Sequence, residues 1–103
     1  MSESIRELGK IRETVLSTGL DISYAYDDLV FSENNVFILR FDDRIANKLY
    51  LYFNSDCFPD EAKIFTTRLS ISGKIGGFQI VKSGTFSLNQ KEDSEEIEIE
   101  FQS

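Results

Sequence analysis

The sequence has no histidine and no tryptophan, and only one cysteine, one proline and one methionine among its 103 residues. Each scarcity removes a class of chemistry. Without histidine the commonest general base is missing, as are the usual partner for a serine or cysteine nucleophile and the imidazole of most zinc sites. An enzyme would have to work with carboxylate, tyrosine or lysine alone, so a non-catalytic role is expected. Cys57 has no second cysteine to pair with, which excludes an internal disulfide. It sits in SDCFPDE, where neighbouring acids disfavour the reactive thiolate. No stretch approaches the roughly 20 apolar residues of a membrane span. MSESIRELGK carries charges where a signal peptide needs an apolar run, so a cytoplasmic location is expected.

Bases are scarce too. Eighteen acids outnumber eleven bases, for a net charge of −7. That argues against nucleic acid and against anionic membrane surfaces, both of which are bound through Lys and Arg. It suits a basic protein partner, because opposite fields steer encounter. No cofactor or metal is expected. Asp42-Asp43 and Asp56 with Asp60-Glu61 lack the alternating ligand spacing of a calcium loop. SGKIGG (72–77) has Ile75 after its lysine, where a phosphate loop needs Ser or Thr.

What is present is enough for one folded unit, taken as a single domain over 1–103. Hydrophobic residues make up 41% of the chain and aromatics 13%, with nine Phe and four Tyr. A domain of this length buries roughly 65% of its unfolded surface. Residues 4–18 read as an amphipathic helix. Ser4 and Glu7 have capping-box spacing, Ile5, Leu8, Ile11, Val15 and Leu16 share a face, and Gly19 suits the left-handed residue that ends a helix.

The rest reads mostly as strand. LDISYAY (20–26) alternates Leu20, Ile22, Tyr24 and Tyr26 against Asp21, Ser23 and Ala25. Asp27-Asp28 makes a turn, LVFS (29–32) a strand, and Glu33-Asn34-Asn35 a turn or bulge. VFILRF (36–41) and LYLYF (49–53) are strands joined by DDRIANK. FQIV (78–81) and TFSL (85–88) are two strands or one strand bulged at Lys82-Ser83-Gly84. NQKEDSE (89–95) is a polar turn, and EIEIEF (96–101) alternates strictly, with Ile97, Ile99 and Phe101 inward. Residues 55–72 read both ways. Phe58, Ala62, Phe65 and Leu69 make a helical stripe that Pro59 would open and Asp56 or Asp60 would cap, while the Thr and Ser content tips the balance to a strand. The expected class is α+β: an N-terminal amphipathic helix on an antiparallel meander, with a second helix at 58–71 as the other reading of that segment.

Two surfaces stand out as candidate partner-binding sites. Paired strands would set Phe37, Leu39 and Phe41 beside Leu49, Leu51 and Phe53, leaving Val36, Ile38, Tyr50 and Tyr52 on a second apolar face, with Tyr24 and Tyr26 near it. A strand with one wet face should alternate apolar and polar, so something must cover that face. A second helix, a curl of the sheet, or another chain would do so, a homodimer included. The other surface is the C-terminal strand, where Glu96, Glu98 and Glu100 stack at about 7 Å intervals. That row reads as protection of a sheet edge or as an acidic contact for a basic protein.

The element order over roughly residues 4–101, with the acidity and small size, resembles the small acidic dimeric chaperones of type III secretion. A helix-on-sheet cystatin-like layout shares the same order. The chaperone resemblance implies a dimer that holds an extended client segment on apolar surface. The residues themselves favour an inhibitor or immunity-type protein that occludes a basic partner.

Overall fold

The computed structural model describes residues 8–26, 28–90 and 97–102. Helix α1 spans Leu8–Leu16, and strands β1 to β4 follow at Ile22–Tyr26, Leu29–Ser32, Phe37–Phe41 and Lys48–Asn54. Helix α2 spans Pro59–Ile75, followed by β5 at Gln79–Gln90 and β6 at Ile97–Gln102. The strands form one sheet in sequence order. All neighbours are antiparallel except β4 and β5, which run parallel because α2 crosses over between them. The chain is of the α+β class, with the N-terminal helix packed on a mixed, mostly antiparallel sheet.

Both helices lie on one face. Ile11 and Val15 of α1 and Ala62 and Leu69 of α2 pack with Phe37, Leu39, Phe41, Leu49, Leu51 and Phe53. The β3–β4 register is the one that alternation demands: Phe37 pairs with Phe53, Leu39 with Leu51 and Phe41 with Leu49. In α1 the buried stripe is Ile11, Thr14 and Val15, while Leu8 and Leu16 stay largely exposed. Ser4, Ile5 and Glu7 lie outside the described residues. The helix ends at Leu16, two residues earlier than expected; residues 17–19 form a turn, in which Gly19 takes the left-handed φ of 93°.

Residues 59–75 are helix, against the lean of their composition. Pro59 opens the first turn, and Asp60 and Glu61 sit where the helix dipole favours acids. The N-cap is Phe58, so neither Asp56 nor Asp60 takes that position. The threonines that suggested a strand bond back within the helix: Thr66 Oγ1 donates to the Ala62 carbonyl and Thr67 Oγ1 to that of Lys63. The helix also runs through Ser72-Gly73-Lys74-Ile75, so the turn shrinks to Gly76-Gly77. Gly73 allows α2 to approach β5 closely; a Cβ there would lie 2.8 Å from Ile80 Cγ1.

Two bulges redirect side chains. In β1 the register steps between Ile22 and Tyr24, with Ser23 the extra residue. Leu20 and Ile22 therefore join the helix-side core, while Tyr24 and Tyr26 pair with Phe31 and Leu29 on the other face. Ser23 Oγ donates to the Ser32 carbonyl at 3.0 Å, which holds the bulge. In β5, Lys82 pairs with Leu51 and Gly84 with Tyr52, so Ser83 is the extra residue in one continuous bulged strand. Asp27 and residues 91–96 lie outside the described residues.

Candidate functional site

The second apolar face is covered by the sheet itself. Phe31, Ile38, Tyr52 and Phe86 form a second buried cluster, with Leu29, Tyr50, Leu88, Ile99 and Phe101 packed against it. Phe86 pairs with Phe101 and Leu88 with Ile99, so the β5–β6 hairpin brings four large apolar side chains to this face. Gly84, beside Tyr52, adds no side chain there. Phe101 reaches inward from the edge strand until its ring lies 4.6 Å from that of Tyr52. The curl continues until opposite ends of the sheet line one groove of about 440 Å³: Tyr24, Tyr26, Leu29, Phe31 and Asn35 from one side, Leu88 and Ile99 from the other.

The lip of this groove is aromatic and exposed. Tyr24 and Tyr26 remain 57% and 64% accessible, and their rings stack at 6.3 Å with 11° between planes. Tyr24 also leans on Phe31, at 5.8 Å. Tyrosine at such a place offers area at low rotamer cost together with a hydroxyl. Asn35 lines one end of the groove, and it and Asn34 both have positive φ (52° and 59°) in the turn after β2.

A charged element lies next to it. Arg40 pairs across the strands with Leu29 of the groove and with Tyr50. Its guanidinium sits over three rings, 5.4 Å from Tyr50, 5.4 Å from Tyr52 and 5.6 Å from Phe101. Such stacking compensates a half-buried cation in an apolar setting. Arg40 also lines a polar depression of about 390 Å³ with Asp28, Asp42, Asp43, Arg44 and Tyr50. There the Tyr50 hydroxyl donates to Asp42 Oδ2, and Asp42 Oδ1 accepts the backbone N–H groups of Arg44 and Ile45. These bonds, the one from Tyr50 foremost, hold the Asp42 carboxyl at about 2, and the same bond raises the Tyr50 phenol.

The residues singled out from sequence divide among three places. Ile38 and Tyr52 are on the second face but buried, and Tyr50 is half-buried and tied to Asp42. Val36 is not on that face. It has helical φ/ψ at the end of the 3₁₀ turn (−71°, −41°), which breaks strand alternation before Phe37, and it packs on the helix-side core. Glu98 and Glu100 are exposed on the strand face opposite Ile99 and Phe101. Glu100 accepts a hydrogen bond from Asn89. Glu96 lies outside the described residues. The acidic row and the tyrosine face thus look in opposite directions from one sheet.

Leu29, Phe31, Leu88 and Ile99 line the groove and were not singled out as site residues. The signal for them was faint: TFSL and EIEIEF each present apolar residues at alternate positions to the face that needed cover. Among the described residues no group of three or more Cys, Asp and Glu is arranged to hold a metal ion. No helix of the described residues is long and apolar enough to cross a membrane. Compared with protein-family models, with curated proteins and with solved structures, the chain finds no match.

Proposed function

We propose that the chain is a non-catalytic protein-binding module, of the inhibitor or immunity type, that docks on a basic protein partner through the groove of its curled sheet. The observation that carries this reading is the pair of exposed, stacked tyrosines at the lip of an apolar groove. Exposed aromatics beside a concave apolar surface are what interface anchors require. The net charge of −7 speeds encounter with a basic partner, and Glu98 and Glu100 contribute to that field from the other side of the sheet. A cytoplasmic setting fits the unpaired Cys57.

The shape of the groove favours a second reading. It lies between the two ends of the sheet, which suits an extended client segment, as a dimeric secretion-type chaperone would hold. The two readings separate by salt. Partners captured by the wild-type chain would be compared with those retained by Tyr24→Ala/Tyr26→Ala and by Glu98→Gln/Glu100→Gln. The tyrosine double variant should lose the partner while keeping its circular dichroism. For an inhibitor the glutamine double variant should bind with a slower on-rate that falls less steeply with salt; for a chaperone it should bind unchanged. Retention of the partner by the tyrosine variant would end the groove reading in both forms.

A further inference from the structure

The outer face of α2 carries an apolar stripe that nothing among the described residues covers. Ile64, Ile71 and Ile75 are 52%, 59% and 84% exposed. At 100° per residue they fall within about 40° of one another, opposite the buried Ala62, Leu69 and Gly73. Isolated exposed apolar residues need no explanation, but three in line on one helix are a seam. The helix itself is built from weak helix formers, with β-branched Ile64, Thr66, Thr67, Ile71 and Ile75 and an interior Gly73. Such a helix owes its stability to packing, and among the described residues α2 is packed on the side facing the sheet and α1.

We propose that this stripe is the seam of a weak, two-fold homodimer in which α2 packs antiparallel on α2 of a second copy. The charges flanking the stripe are self-complementary in that arrangement. A two-fold axis between Thr67 and Arg68 sets Ile64 of each copy opposite Ile71 of the other. It also brings Asp60 in the first turn beside Lys74 in the last turn of the other copy, on the same flank of the stripe. The antiparallel macrodipoles attract as well. The cost falls at the axis, where the Arg68 side chains of the two copies meet, and on the flank, where Lys63 comes near Lys74 of the other copy. Helix α2 is about 25 Å long, so the contact falls short of the roughly 800 Å² per partner of a stable complex. The dimer is therefore concentration-dependent. The groove, on the far side of the sheet, stays open, so self-association neither requires partner binding there nor competes with it.

Sedimentation equilibrium of the full chain over a concentration series tests this. Wild type should show a monomer–dimer equilibrium, and Ile71→Glu should abolish it with circular dichroism unchanged. Asp60→Lys should weaken the dimer about tenfold, and Asp60→Lys/Lys74→Asp should restore it. If the two charges acted only within their own helix, the double variant would be the worse one, because both would then oppose the macrodipole. Arg68→Glu mixed with wild type should give a heterodimer tighter than either homodimer, a signature that only a residue at the axis produces. A strict monomer at every concentration would overturn the proposal. So would a dimer indifferent to Ile71→Glu and to the Arg68→Glu mixture, since its interface would lie elsewhere.

Discussion

Asp42 shows how one residue can organise a loop. Its two oxygens take the Arg44 and Ile45 N–H groups and the Tyr50 hydroxyl, which closes the β3–β4 connection onto β4. All three bonds favour the ionised carboxyl, which holds it at about 2. A carboxyl depressed by folding stabilises the fold above its ordinary range, and that stabilisation is lost as pH falls. The window runs from about 4, the unfolded value, down to about 2. NMR titration of the Asp42 side chain should give a midpoint near the lower figure. Tyr50→Phe removes the largest cause and should move the midpoint up toward the ordinary value. An unchanged midpoint would mean that the backbone donors suffice. Cys57 illustrates the opposite sign. Burial first, and Glu61 second, push its thiol up, so the thiolate is scarce near neutrality. Its alkylation at neutral pH should be slower than that of a free cysteine, and should accelerate in urea as the site unfolds.

At the scale of elements, the two helical glycines make a matched pair. Gly9 in α1 has none of the described residues within 4 Å of where a Cβ would go, whereas at Gly73 in α2 the Cβ would meet Ile80 Cγ1 at 2.8 Å. Gly9→Ala should stabilise the protein by up to about 1 kcal/mol through helix propensity. Gly73→Ala gains the same propensity but forces α2 off β5, and overpacking of about 1–3 kcal/mol outweighs it. Urea midpoints of the two variants should move in opposite directions; a stabilising Gly73→Ala would show that Ile80 can yield. These elements also mark what could be read from the chain. The β3–β4 pairing was legible because alternation over VFILRF and LYLYF admits one register with a buried face. The β5 bulge was legible because Lys82-Ser83-Gly84 interrupts two apolar runs. Helix α2 was not, because Thr66 and Thr67 spend their hydroxyls on carbonyls one turn back, a use that composition does not reveal. The sequence puts Tyr24 and Tyr26 near the second face, but the bulge that parts them from Leu20 and Ile22 was not legible. Ser23 interrupts no pattern, yet as a bulge it reverses every side chain after it in β1. The groove depends on β1 meeting the β5–β6 hairpin, an approach between ends of the sheet that no local signal encodes.

The whole molecule is one sheet with a core on each side, and its composition supplies a separate reporter for each. The helices lie on one face, while all four tyrosines, Tyr24, Tyr26, Tyr50 and Tyr52, belong to the other. With no tryptophan to mask it, tyrosine fluorescence follows the second face, and far-ultraviolet helix dichroism follows the first. The two cores share strands: Ile38 and Tyr52 of one alternate with Leu39 and Leu51 of the other. Losing either core exposes the backs of the same strands, so the two signals should unfold together, as in a two-state transition. Phe86→Ala decides the matter. Phe86 is fully buried on the second face and belongs to the β5–β6 hairpin. Its truncation should cost about 3–5 kcal/mol, a large part of the roughly 5–15 kcal/mol that holds a domain of this kind. If the cores are coupled, both signals should shift to lower urea by the same amount and stay superimposed. If tyrosine fluorescence shifts while the helix signal stays in place, the hairpin is a separable cover on a self-sufficient first core. The groove would then be the part of the molecule that opens first.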